Sequence, residues 1–113
     1  MTRKNLLTST PPYAVEKALK QLATNLRTAR LRRNLTIEDA AEKIGTGRRA
    51  VMDAEKGKGS TSSAVYIALL WAYDLLDQMR DIADPALDEE GLTQSLANDR
   101  VRARTRKGLD NEF

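Results

Sequence analysis

The chain has 113 residues, of which 41% are hydrophobic, enough for one modest core with extensions but not for two full domains. It contains no cysteine and no histidine, which excludes disulfide frameworks, thiolate or imidazole catalysis and the usual zinc sites. The net charge is only +3, but basic and acidic residues are segregated along the chain, and a basic region favours contact with phosphate. No apolar run is long enough for a signal peptide or a membrane span, so we expect a cytoplasmic protein without membrane contact.

Residues 1–12 show no periodicity and are predicted to form a flexible tip. A first helix is predicted over 13–33, because Thr10 followed by two prolines is a helix-start signal. Apolar residues then recur at spacings of three and four, which is typical of a helix that packs one stripe in the core. The stripe consists of Val15, Leu19, Leu22, Leu26 and Ala29.

The segment 36–58 predicts two short helices separated by a glycine turn. Thr36 stands at a capping position, and Gly45 ends the first helix. The second helix runs from about Arg48 to Lys56 and stops at Gly57. A helix-turn-helix typically has a small residue where its two helices cross and, at the turn, a residue that tolerates a left-handed backbone. It also has a β-branched apolar residue on the inner face of the second helix. The apolar residues with helical spacing are Ile37, Ala40, Ala41, Ile44, Val51 and Ala54. This pattern predicts a DNA-reading motif.

A loop rich in glycine and serine follows, in which Lys56 and Lys58 can reach a phosphate backbone. A long apolar helix capped by Ser62 or Ser63 is then predicted to end near residue 84, before Pro85. Its apolar surface is wider than one small core requires, so part of the helix is expected to pair with a second copy or with another protein, and we place the homodimer seam there. Use of that whole surface inside one domain is the alternative.

From residue 85 the chain becomes charged and poor in apolar residues. A short helix over about 88–98 is predicted, weakened by Gly91. We predict that residues 100–113 form a disordered tail that folds on a partner; a merely solubilising tail with weak DNA affinity is the alternative. The predicted partner-binding residues are Leu109, Asp110 and Phe113.

Residues 26–58 resemble the DNA-binding domain of lambda-repressor-like, Cro-type (XRE) regulators. The positions in register are Arg30, Leu35, Thr36, Ala41, Gly45, Glu55, Lys56 and Gly57. This resemblance implies an all-α, five-helix lambda-repressor-like fold with a helix-turn-helix, here with an extended N-terminal helix and a flexible C-terminal tail. The expected organisation is a tip at 1–12, a DNA-binding and dimerisation domain at 13–84, and a C-terminal extension at 85–113.

The resemblance also implies roles for individual residues. In such domains an arginine late in the first helix pairs with a glutamate at the end of the third, so Arg30 and Glu55 are expected to form a structural clamp. The start of the third helix reads base edges, and its arginines favour guanine. The predicted DNA-binding residues are Thr36, Thr46, Gly47, Arg48, Arg49, Met52, Asp53, Lys56 and Lys58.

Two positions depart from the family pattern. Ile37 stands where such regulators often have glutamine, which removes a contact that bridges phosphate and base. Gly47 stands where they commonly have serine or threonine, so we expect Thr46 to cap the third helix instead. More of the specificity is therefore expected to rest on Arg48 and Arg49.

A Cro-type domain with a short C-terminal extension resembles HipB-like antitoxins, which repress their own operon and bind a HipA-type kinase toxin. We therefore predict a sequence-specific repressor that binds an inverted repeat in double-stranded DNA as a homodimer and holds such a toxin. The alternatives are a stand-alone prophage or cellular regulator and a nonspecific nucleic-acid-binding adaptor. No cofactor, metal or enzymatic activity is expected, because adjacent carboxylates such as Glu38 and Asp39 diverge on a helix.

Overall fold

A computed structural model of the protein describes residues 5–111, with side chains as far as Arg106, and no strand occurs among these residues. The predicted all-α class is confirmed. The helices are α1 (Leu6–Ser9), α2 (Tyr13–Arg32), α3 (Ile37–Ile44), α4 (Arg48–Lys56), α5 (Ser63–Ala72) and α6 (Glu89–Asn111), with 3-10 turns at Leu76–Asp81 and Pro85–Leu87. The chain divides into two compact units, Met1–Asp77 and Gln78–Phe113.

The core of the first unit lies where α4 packs against α2, α3 and α5. Its small residues let the helix backbones approach closely, while a few large side chains fill the remaining space. The buried hydrophobic residues are Ala23, Leu26, Ala29, Ala40, Ala41, Val51, Ala54, Leu69, Leu70, Ala72 and Tyr73. The predicted stripe of α2 enters this core only in its C-terminal half, since Val15 in the first turn is 39% exposed.

Helices α2 to α5 end with the same hydrogen-bonded turn. In each, a residue with positive φ donates its N–H to the carbonyl three residues earlier, and the next N–H reaches the carbonyl five residues earlier. The positive-φ residues are Asn34 (55°), Gly45 (78°), Gly57 (70°) and Asp74 (58°). These turns satisfy the last carbonyls of each helix and reverse the chain sharply, so that α4 packs against both α3 and α5.

The prediction of one long apolar helix to about residue 84 is wrong. Helix α5 begins after the predicted cap, Ser62, but ends at Ala72. Asp74 adopts the left-handed conformation, and the Leu75 N–H donates to the Leu70 carbonyl at 2.8 Å. This turn accompanies the complete burial of Tyr73, and no glycine or proline marks it in the sequence.

The prediction of a disordered tail over residues 100–113 is wrong for the described part, because α6 continues to Asn111. The Asp88 carboxylate accepts the Gly91 N–H at 3.0 Å, and Glu89 and Glu90 place negative charge in the first turn. Arginine, a strong helix former, occupies four of the seven positions in residues 100–106. Helix propensity therefore outweighs the low apolar content on which the prediction of disorder rested.

A short helix also lies inside the segment predicted as a flexible tip. The Asn5 side chain accepts the Leu7 N–H at 3.1 Å and so caps α1. Thr8 and Ser9 donate their hydroxyl hydrogens to the Asn5 carbonyl, each at 3.0 Å.

Among residues 5–111, no helix combines the length and the apolar character that crossing a bilayer requires.

Candidate nucleic-acid interface

Helices α3 and α4 form the helix-turn-helix with the predicted bounds. The Thr36 hydroxyl accepts the Asp39 N–H at 3.0 Å, and the Asp39 carboxylate accepts the Thr36 N–H at 2.9 Å. This capping box starts α3, and the hydrogen bond that the Asp39 carboxylate accepts from the Thr36 N–H is the main cause that holds the pKa of this carboxyl below its usual value. Gly45 then ends α3 in the left-handed conformation, three residues before α4 begins.

The predicted clamp between Arg30 and Glu55 is present. Two guanidinium N–H groups of Arg30 donate to the Glu55 carboxylate at 2.7 and 2.9 Å, and a third donates to the Leu35 carbonyl at 2.8 Å. The hydrogen bonding to Glu55 raises the pKa of Arg30 against the opposing effect of burial. With both side chains less than 10% exposed, the pair fixes α4 to α2 and to the turn before α3.

Helix α4 has an inner face in the core and an outer face toward solvent. Val51 and Ala54 are completely buried on the inner face. Arg48, Arg49 and Lys56 are exposed, and Met52 is half-buried. Residues 49, 52, 53 and 56 have the spacing of one helical stripe, so the outer face aligns two cations, a methionine and the less exposed carboxylate of Asp53.

Arg48 has a partner that the sequence did not indicate. Its guanidinium lies 3.4 Å from the Glu38 carboxylate on α3, and both side chains are more than 60% exposed. An exposed pair of this kind is weak and exchanges readily with other partners. Glu38 was missed because its proximity to Arg48 depends on the angle between α3 and α4, which no spacing in the sequence reveals.

Asp53 lies farther from solvent than a base-reading residue would. One oxygen of its carboxylate lies 3.4 Å from the Lys58 ammonium group, and its side chain is only 22% exposed. The same oxygen accepts no hydrogen bond among the described residues. Asp53 and Lys58, both predicted DNA contacts, therefore face each other at the C-terminal end of α4.

The prediction that Thr46 caps α4 is wrong. Gly47 occupies the N-cap position, and no side chain accepts a hydrogen bond there. Thr46 is exposed, and its backbone N–H donates instead to the Ala41 carbonyl at 2.9 Å to close the end of α3. The first N–H groups of a helix have no partner inside it, so the uncapped start of α4 offers donors for an anion.

Tyr73 lies completely buried behind the clamp, and burial raises its pKa to about 12. The guanidinium carbon of Arg33 lies 5.8 Å from the centre of the Tyr73 ring, within the range of a cation–π contact. Arg33 also donates to the Ala29 carbonyl at 2.9 Å. Arg33 is therefore committed to the end of α2 and to Tyr73.

The predicted partner-binding residues receive no structural test. Leu109 and Asp110 belong to the last turns of α6, but their side chains lie outside the described part of the chain. Phe113 lies outside the described residues altogether. These three positions remain predictions.

Comparison with known families agrees with this geometry. A family model described as a helix-turn-helix domain matches residues 21–82, which is more than half of the chain. The matched region begins in α2 and includes α3, α4 and α5. No curated protein and no solved structure gave a significant match.

Proposed function

The chain belongs to the helix-turn-helix domain family, and from this premise we propose that it is a sequence-specific DNA-binding repressor of the Cro type. Helix α4 enters the major groove, and occupation of the operator blocks transcription. The observation that carries the proposal is the division of α4 into an inner face held in the core and an outer face exposed to solvent. Arg30 and Glu55 hold the inner side, while Arg48 and Arg49 project from the uncapped start of the helix.

Base reading falls mainly to Arg49 in this proposal. Arg49 has no ion pair among the described residues, whereas Arg48 must leave Glu38 before it can reach DNA. An arginine in the major groove forms two hydrogen bonds with guanine and contributes about 1–3 kcal/mol of discrimination. Half-sites with guanine opposite the start of α4 are therefore expected, with Met52 in apolar contact one turn later.

Phosphate contacts surround this reading surface. The free N–H groups at Gly47 and Arg48 suit a phosphate oxygen at the start of α4. Lys56 is exposed at the other end of the helix, and Thr36 and Thr46 are exposed hydroxyls beside the motif. Lys58 can join them once Asp53 releases its ammonium group.

A homodimer on an inverted repeat completes the proposal, because one such module buries little DNA surface. Helix α5 contains no charged residue, yet Trp71 is 55% exposed and Ile67 40% exposed. Ala64, Ile67 and Trp71 have the spacing of one helical face and are all exposed. A second copy that covers this face would remove it from water.

Capture of a HipA-type kinase toxin is the most specific part of the proposal, and the second unit supports it. Leu92 and Leu96 lie one turn apart on α6 and are 59% and 50% exposed. We expect the product of an adjacent reading frame to co-purify with the protein, and deletion of residues 100–113 to release it. A stand-alone regulator would show no such partner.

The central experiment compares a duplex enriched from a random pool by the protein with a shuffled duplex of the same composition. Arg49→Gln should reduce the preference for the enriched duplex by about 5- to 150-fold, which corresponds to 1–3 kcal/mol. Arg27→Gln, an equal loss of charge on α2, should leave the preference unchanged. If Arg49→Gln weakens binding to both duplexes equally, Arg49 contacts only phosphate and the base-reading role is wrong.

A further inference from the structure

The arginine-rich half of α6, residues 100–106, has no role in the helix-turn-helix. It belongs to the second compact unit, and α6 packs mainly on the turn at Pro85–Leu87. Every side chain from Leu92 to Arg106 is exposed. Among the described residues, no ion pair involves Arg100, Arg102, Arg104 or Arg106.

The regular spacing of these four arginines places them in two rows along the helix. They occupy every second position of a continuous helix, and successive residues of an α-helix are rotated by about 100°. Arg100 and Arg104 therefore lie about 40° apart on one edge, and Arg102 and Arg106 lie equally close together on the other. The two edges are separated by about 160°, which gives the helix two nearly opposite rows of guanidinium groups.

Charges in this arrangement repel one another along each row. Arg100 and Arg104, like Arg102 and Arg106, are like-charge pairs at a spacing of four residues, which destabilises a helix. A polyanion on each side would convert that repulsion into attraction. One strip between the rows holds Val101 and Thr105, and the opposite strip holds Ala103, so neither has the series of large apolar residues with which a helix lies on a membrane.

We propose that residues 100–106 form a second DNA-binding element, a helix in the major groove whose two rows of arginines contact the phosphates of the two strands. The groove is about 12 Å wide and is bordered by a phosphate backbone on each side, which matches the two rows. The contact is independent of sequence and adds affinity to the reading by α4 through the tether between the two units. The inference rests on the proposed function, since it assumes duplex DNA as the common ligand.

The test measures salt dependence with the full-length protein and a 30-base-pair duplex of random sequence, by fluorescence anisotropy between 50 and 200 mM NaCl. Each phosphate contact contributes about 0.9 to the slope of log affinity against log salt. The variant Arg100→Gln/Arg102→Gln/Arg104→Gln/Arg106→Gln should therefore lose about 3.6 from the slope. Across this fourfold rise in salt, its affinity should fall about 150-fold less than that of the wild type.

Three further variants examine the geometry. Arg100→Gln/Arg104→Gln and Arg102→Gln/Arg106→Gln should each lose about 1.8, half of the full effect, because each removes one row. Replacement of all four arginines by lysine should preserve the slope, which shows that the charges and not a folding defect are responsible. If one row carries the whole loss, the placement between two strands is wrong.

The outcomes separate this inference from the proposed function. If the wild type binds the duplex and the four-glutamine variant keeps its slope, the second element is wrong and the helix-turn-helix proposal stands. If the wild type does not bind duplex DNA, both proposals are wrong. If the substitutions abolish binding to vesicles with 30% phosphatidylserine but leave the duplex slope unchanged, the basic helix is a membrane element and the inference is overturned. In Arg48→Gln/Arg49→Gln, the slope difference due to α6 should persist, because contacts that share no partner act independently.

Discussion

At the scale of single residues, Arg30 shows how a buried charge is accommodated in a small core. Its guanidinium is 7% exposed, and it directs three hydrogen bonds at Glu55 and the Leu35 carbonyl. A buried ion pair adds little stability relative to well-packed apolar residues, but loss of one partner leaves an uncompensated charge. The pair therefore serves to fix the position of α4, and both members are needed together.

We predict that Glu55→Ala lowers the free energy of unfolding by about 3–5 kcal/mol. The matched control is Glu38→Ala, which breaks the exposed pair with Arg48 and should cost less than about 1 kcal/mol. Guanidinium chloride unfolding of both variants measures the difference. The double variant Arg30→Met/Glu55→Leu should regain much of the loss, and equal costs for the two single variants would contradict the clamp.

The burial of Tyr73 leads us to predict that the free energy of unfolding depends on pH in the alkaline range. Its pKa is raised to about 12, so the folded state retains the phenol proton at pH values where the unfolded chain loses it. The contribution of this group is fully present below pH 10 and is lost as the pH rises toward 12, by on the order of 2–3 kcal/mol. Tyr73→Phe should flatten this part of the stability curve, measured by urea unfolding at pH 8 and pH 11. An unchanged slope in the variant would show that other groups cause it.

Among the helices, α3 and α4 both end at a glycine in the left-handed conformation, but the space available for a side chain differs between the two glycines. Gly45 and Gly57 have similar φ angles, 78° and 70°. A Cβ atom at Gly45 would meet nothing within 4 Å, whereas at Gly57 it would lie 3.3 Å from the Leu19 carbonyl oxygen and from the Lys20 Cα. The end of α4 is therefore pressed against the backbone of α2, and only glycine fits there without displacement.

This contrast predicts different costs for the same substitution. Gly45→Ala should destabilise the protein by about 1 kcal/mol, the penalty of the left-handed backbone alone. Gly57→Ala should cost about 2 kcal/mol or more, because the methyl group also pushes α4 away from α2. Thermal unfolding of the two variants, followed by circular dichroism, gives the comparison. A Gly57→Ala variant no less stable than Gly45→Ala would contradict the close approach.

At the scale of the whole molecule, two compact units carry different surfaces. The first presents the outer face of α4 and the uncharged exposed face of α5, and the second presents the arginine-rich half of α6. A repressor of the proposed kind needs a DNA-reading face, a dimer face and a source of additional affinity. These three surfaces supply those needs from different parts of the chain.

We predict that Trp71→Arg converts a dimer into a monomer, because it places a charge in the centre of the proposed seam on α5. Tyr13→Arg is the matched control, since Tyr13 is also a large exposed side chain of the first unit, on α2. Size-exclusion chromatography with light scattering measures the mass of each. Trp71→Arg should also weaken binding to an inverted repeat by about 10²- to 10⁴-fold, since the second half-site no longer benefits from tethering. A wild type that is monomeric at all concentrations would contradict the seam.

The bounds of α2, α3 and α4 follow from local signals in the chain, because capping residues, glycines and apolar spacing act over a few residues. The sequence also indicated the clamp, since Arg30 and Glu55 stand at positions that a known type of domain pairs. Helix α6 was within reach of local reasoning too, as the strong helix propensity of residues 100–106 shows in retrospect. The end of α5 depends instead on packing, because the chain turns at the left-handed Asp74 where the adjacent Tyr73 is completely buried, and no glycine or proline marks this turn. The partner of Arg48 also depends on tertiary packing, since the angle between α3 and α4 brings Glu38 within reach, and that angle is set by contacts between residues far apart in the chain.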